Sequence, residues 1–230
     1  MPKKHPFFLN LQLLINKFIL PDKSLVAFWK MEESEDQLRA LCNLTEEDNI
    51  LINQCKSVKR RIELLSVRAL LKYVGISQTI HYNDRKPYMA NGYISISHSA
   101  DIAAIIWNKN FPVGIDVETT SERVRRISKR AFSDEEIAAA DDNIEMLTVL
   151  WNCKECIFKL VNDEGVDFRE MINVSLPQKH SLESYTAPSS LTPIECFFKK
   201  SEKTTRFHLL AMKIEDNTAV FGNNLYYVER

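Results

Sequence analysis

The chain of 230 residues contains no apolar run approaching the ~18 residues that cross a bilayer, so a membrane-spanning helix is not expected. Its formal net charge is −1, and it therefore lacks the basic excess that draws a protein to nucleic acid or an acidic membrane surface. Five cysteines, an odd number, make no disulfide framework in a chain of this length and fit a reducing compartment. A signal peptide is not expected either. Lys3 and Lys4 do precede an apolar stretch from Phe7 to Leu20, but Asn10, Gln12, Asn16 and Lys17 interrupt it and no small-residue cleavage site follows. No repeat, low-complexity tract or linker is visible. These absences lead to the expectation of a soluble, cytoplasmic protein without nucleic-acid or membrane partners, long enough to bury one large core or two modest ones.

The patterning mixes helices with hairpin-linked strands, an α+β order. Strands are expected at Ser24–Trp29, Tyr93–Ser97 (Ile94 and Ile96 inward), Ala103–Trp107 and Val113–Glu118. Asn108-Lys-Asn110 has hairpin-turn chemistry that would make the last two partners or neighbours. Asn83-Asp84 and Pro87 mark a turn. Helices are expected over Glu35–Leu44 with Ser34 as N-cap, from the Thr45…Asp48 capping box, over Lys59–Tyr73 with Gly75 as its stop, from the Ser133…Glu136 box, and over Asn143–Val161. Strand-like runs follow at Ile194–Lys199, Phe207–Met212 and Leu225–Val228. Charge is uneven along the chain: Glu32–Glu35 and Thr45–Asp48 are acidic, Lys56–Arg61 and Arg123–Arg130 basic.

Two polar patterns carry chemistry. In Val113-Gly-Ile-Asp116-Val-Glu118, alternation sends the aliphatic residues one way and both carboxylates the other. In Trp151-Asn-Cys-Lys154-Glu155-Cys-Ile-Phe-Lys159, residues 151, 155 and 159 form one helical stripe. Either alone is commonly a solvated surface. Together they place three carboxylates and a lysine where a divalent cation bound to phosphate would find its ligands. Cys153 and Cys156 match Cys-x-x-Cys, but they lie mid-helix without a second pair and are read as small core residues. Trp151 and Phe158 are expected to pack the helix on the sheet, and Met146, Leu147 and Leu150 to be core.

With these residues in view, the chain resembles the 4′-phosphopantetheinyl transferases, in particular the long surfactin-synthetase-type branch. Gly114 to Glu118 match that family's Gly-x-Asp-x-Glu strand, and Trp151, Lys154, Glu155 and Lys159 match its Trp-x-x-Lys-Glu-x-x-x-Lys helix. Upstream, Lys86-Pro87, Ser97-His98-Ser99 and Arg68-Ala-Leu-Leu71 match further motifs. Lys129-Arg130-Ala-Phe132-Ser133 fits the segment between strand and helix. Order and spacing agree from about residue 55 to 165. Asn152 departs from the Ser, Thr or Cys often found after the tryptophan, and Cys153 and Cys156 from small or apolar residues.

The resemblance implies two similar α+β halves, residues 1–111 and 112–230, related by a pseudo-two-fold axis, with coenzyme A between them and a monomer as the working state. It implies transfer of the phosphopantetheine arm of coenzyme A, the co-substrate, to a serine of an apo acyl or peptidyl carrier protein, with release of 3′,5′-ADP. Asp116, Glu118 and Glu155 would hold Mg²⁺, with Mn²⁺ as the alternative ion. Glu155 would be the base, directly or through a metal-bound water, and Lys159 would stabilise phosphate charge. Arg61, Lys86, Pro87, Ser97, His98, Ser99 and Lys154 would bind the cofactor, although Lys154 projects about 100° from the stripe. The Arg123–Arg130 cluster would dock an acidic carrier. Two other readings compete. One is a coenzyme A or carrier-binding module without catalysis; the other is a metal-dependent nuclease, whose Asp and Glu-x-Lys usually sit on adjacent strands.

Overall fold

Short polar residues set where the helices start. The Ser34 and Thr45 side chains accept from the backbone N–H groups of Gln37 and Asp48, and both close full capping boxes ahead of α1 (Glu35–Leu41) and α2 (Glu46–Gln54). Ser57 caps α3 (Val58–Val74), which Gly75 ends in the left-handed conformation at φ 85°, where a side chain would be strained. The computed structural model describes residues 14–177, 182 and 190–224, and the chain divides into two units, Met1–Lys109 and Asn110–Arg230. The expected strand at Leu225–Val228 and the start of the Phe7–Leu20 stretch lie outside the described residues.

In the first unit, β1 (Leu14–Ile19), β2 (Leu25–Lys30), β5 (Tyr93–His98) and β6 (Ile102–Asn108) form an antiparallel sheet in the order β1-β2-β6-β5. The helices bury Leu38, Ile52, Leu65 and Leu70 against Trp29 and Ile105 of that sheet. A separate hairpin joins β3 (His81–Asn83) to β4 (Lys86–Tyr88). Pro87 is therefore a strand residue, and the turn falls at Asp84, φ 53°.

The second unit begins with β7 (Val113–Thr119), continues through a 3-10 turn (Glu122–Val124) and α4 (Arg125–Ala131), α5 (Asp134–Ala139), α6 (Ile144–Val161) and α7 (Phe168–Met171), then adds β8 (Ile172–Ser175), β9 (Thr192–Lys200), β10 (Lys203–Ile214) and β11 (Asn217–Asn223). Its antiparallel sheet runs β7-β11-β10-β9-β8. The expected pairing of β7 with β6 does not form. Phe111-Pro112 intervenes, proline offers no N–H to a ladder, and β7 pairs instead with β11, Glu118 opposite Thr218. Helix α6 packs across β7 and β11 and buries Met146, Leu147 and Leu150.

The architecture is α+β, and the two units share a connectivity. In each, a strand (β2 or β7) leads into helices, the longest last or nearly so, and the closing strand (β6 or β11) returns beside that first strand with its hairpin mate (β5 or β10) beyond. Among the described residues no helix is long and apolar enough to cross a membrane.

Candidate active site

Asp116 lies on a strand buried on both faces and is only 3% exposed, which rules out a solvated sheet face for the Asp-x-Glu pattern. The burial follows from the close approach of α6. A Cβ on Gly114 would stand 2.6 Å from the Cys156 carbonyl oxygen, so only glycine admits the helix at this depth. That approach brings Lys159 to β7, where its ammonium donates to Asp116 Oδ1 at 2.8 Å and to the Ile115 carbonyl at 2.9 Å. Trp151, two turns earlier, lies close enough to Glu118 to favour its ionised form.

The charges do not balance locally. Burial, then the negative charge of Asp116, push Glu118 up to about 7, with Trp151 and Lys159 opposing. Burial and Asp116 likewise push Glu155 up to about 7. Burial alone would lower the Lys159 pKa, but Asp116 and Glu155 outweigh it and raise it. Three carboxylates thus share one lysine, and clustered perturbed pKa values of this kind mark functional sites.

Hard carboxylate oxygens with too little positive charge among them suit Mg²⁺. Among the described residues, no group of three such side chains is arranged to hold a metal by itself. Mg²⁺ seldom asks for that: it takes one or two carboxylates and completes its octahedron with phosphate oxygens and water. The donor set therefore fits the ion.

Lys154 is a correction. Its side chain is fully buried, and its three ammonium protons go to Glu136 Oε2 at 2.8 Å and to the carbonyls of Phe168 and Ile172 at 2.7 and 2.6 Å. No donor remains for a phosphate. Phe158 is a correction too. It is 39% exposed and meets Phe168 ring to ring, tilted, at a centroid distance of 5.5 Å rather than packing helix on sheet, whereas Trp151 does pack against the core. Cys153 and Cys156 are fully buried, their thiols pushed well up by that burial.

The first unit holds a cavity of about 160 Å³ whose lining includes Arg60, Glu63, Tyr82, Arg85, Pro87 and His98. Arg60 Nη1 stands 2.9 Å from Glu63 Oε2 and 2.6 Å from His98 Nε2. Of the basic run, the sequence favours Arg61, but its guanidinium is engaged with Glu35 at 2.8 Å and with the Cys55 carbonyl at 2.8 Å. Arg60, about 100° around the helix, faces the cavity instead. Of Ser97-His98-Ser99, only the histidine lines it. Ser97 is buried and, by strand alternation, on the other face from His98 and Ile96. Ser99 closes the β5–β6 turn, accepting from Ile102 N at 3.2 Å. Lys86 is exposed beside the lining residue Pro87. Arg85 and Glu63 escaped the sequence reading. Adjacency to Lys86-Pro87 and the i,i+3 spacing from Arg60 were the available signals.

Comparison with known families decides what the second unit resembles. Residues 112–211 match the 4′-phosphopantetheinyl transferase superfamily. The matched segment runs from β7 into β10 and contains Asp116, Glu118, Glu155 and Lys159, and the match points to phosphopantetheinyl transfer in general. No curated protein matches the chain.

Proposed function

We propose that this chain is a 4′-phosphopantetheinyl transferase that moves the phosphopantetheine arm of coenzyme A to a serine of an apo acyl or peptidyl carrier protein, with Mg²⁺ and release of 3′,5′-ADP. The observation that carries this reading is the group Asp116, Glu118, Glu155 and Lys159, Asp116 buried and the other three half-buried, inside the segment that matches the superfamily.

One or two of Asp116, Glu118 and Glu155 would hold the ion, with phosphate oxygens and water completing its shell. When bound, it neutralises charge on the pyrophosphate. The carrier serine oxygen forms a bond to the pantetheine-side phosphorus, the bond from that phosphorus to the bridging oxygen breaks, and 3′,5′-ADP leaves with the electron pair. Glu155, on the same helical stripe as Lys159, takes the serine proton. Lys159, fixed on Asp116 and the Ile115 carbonyl, offers a preorganised positive charge to the phosphate.

In the first unit, the Arg60 guanidinium and the His98 ring supply donors suited to the nucleotide phosphates. Arg123, Arg126, Lys129 and Arg130 are exposed and suited to steering an acidic carrier, while Arg125 is paired with Glu122 and Asp142. Five free thiols support a reducing, cytoplasmic setting, and a chain with two similar units supports a working monomer. Asp116→Asn tests the proposal: transfer of a fluorescent coenzyme A analogue to an apo carrier should fall about a hundredfold or more with the fold intact. Unchanged transfer in that variant would sink it.

A further inference from the structure

Helix α6 is fastened to the second unit's sheet at three levels. Near its C-terminus Lys159 reaches Ile115 and Asp116, and in the middle the Cys156 carbonyl sits over Gly114. The third level is Asn152, whose Nδ2 donates to the Thr218 carbonyl at 2.8 Å and to Thr218 Oγ1 at 3.0 Å. Asn152 is 0% exposed, and its Oδ1 has no hydrogen-bond partner among the described residues. An unsatisfied buried amide oxygen is a standing cost to stability that an apolar side chain of similar shape would not carry. The cost falls at a particular place. Thr218 is the register partner of Glu118 in the β7–β11 ladder. The neighbouring Trp151 is the residue that faces Glu118, and Glu155 lies less than one turn further along the same helix.

We propose that Asn152 is a positioning residue: by tying α6 to β11 opposite Glu118, it sets the height of Trp151 against Glu118 and of Glu155 against Asp116. This rests on the transferase reading. Asn152 touches no reacting atom and acts through its neighbours. Shifts of about 1 Å in a reacting constellation cost on the order of a hundredfold in rate.

The test is Asn152→Leu in the full chain, read by steady-state transfer, thermal midpoint and the Trp151 indole N–H proton resonance, which is assigned by its loss in Trp151→Phe. The expected result is a modestly lowered midpoint, because the buried Thr218 carbonyl and hydroxyl lose their donor, with kcat of the folded variant reduced about 10- to 100-fold, KM for coenzyme A within about twofold, and a shifted indole resonance as Trp151 moves relative to Glu118. Wild-type kcat with an unmoved indole resonance in a folded variant would overturn the assignment, as would a kcat loss that follows only from a lowered midpoint. If Asn152→Leu does not fold, Thr218→Val removes one of the two bonds with little change in shape and is read against the same outcomes. If the wild-type chain transfers to no carrier, the transferase reading has failed. The indole resonance then decides alone: a shift supports the positioning of Trp151, and no shift overturns it.

Discussion

Replacing Lys154 by methionine separates a core lysine from a phosphate-binding one. The pair it forms with Glu136 is 0% and 2% exposed, so truncating the lysine leaves a carboxylate buried without its counter-charge. It also strips the carbonyls of Phe168 and Ile172 of a donor. Breaking a buried pair from one side costs about 3–5 kcal/mol. The orphaned carbonyls overlap with that figure rather than adding to it in full. At roughly 2–4 °C per kcal/mol for a chain of this size, the thermal midpoint should drop on the order of 10 °C. Glu136→Leu alone should be comparably damaging, because Glu136 also accepts from the backbone N–H groups of Ser133 and Val174, each at 2.8 Å. In the double variant the two losses should sum to well over the measured total, giving a coupling of about 1–3 kcal/mol in a chemical-denaturation cycle. At a temperature where Lys154→Met is folded, KM for coenzyme A should stay within about twofold of wild type. A variant with an unchanged midpoint and a KM raised tenfold would refute the reasoning, since it would put the ammonium on the cofactor.

Glu33 carries a pH dependence. Burial raises its pKa above 4.5, against the opposing Trp29 bond at 3.2 Å. The folded state therefore holds this proton at a pH where the unfolded chain has released it, so the contribution to stability is present below 4.5 and lost as pH rises through the folded value. Glu33→Gln should gain less than about 1 kcal/mol at pH 7.5, given the group's partial exposure, and nothing at pH 4, measured by thermal midpoints at both. The cysteines give a further check. In the native protein at pH 8, iodoacetamide followed by peptide mapping should label Cys55 first. Cys42, its thiol pushed up to about 11 by burial, should lag, and the fully buried Cys153, Cys156 and Cys196 should stay unlabelled until denaturant is added.

What could be read in advance was local. The capping boxes at Thr45 and Ser133 depend on side chains three residues apart, and both form as expected; Ser34, expected only as an N-cap, closes a box with Gln37 as well. The face shared by Asp116 and Glu118 and the stripe from Trp151 to Lys159 follow from strand and helix periods. What was hidden depends on distant chain. Nothing near Lys154 announces that Glu136 and two carbonyls will close over it, and adjacency to Glu155 argued for the opposite environment. The turn chemistry at Asn108–Asn110 suggested a hairpin, whereas β7 finds its partner at the far end of the unit. Arg60 and Arg61 are indistinguishable by type, and only the position of Glu35 and Cys55 takes Arg61 out of the cavity. The shared connectivity of the two units leaves no repeat in the residues, because burial pattern and strand order can recur without side-chain identity.

The most direct test of the central claim is the intact mass of a purified apo carrier protein after incubation with this chain, coenzyme A and Mg²⁺. The account predicts a gain of about 340 Da, the mass of a phosphopantetheine arm on a serine, that disappears with Asp116→Asn, with EDTA, or with alanine at the carrier serine. Acyl and peptidyl carriers left unmodified by the folded protein in the presence of coenzyme A and Mg²⁺ would contradict it.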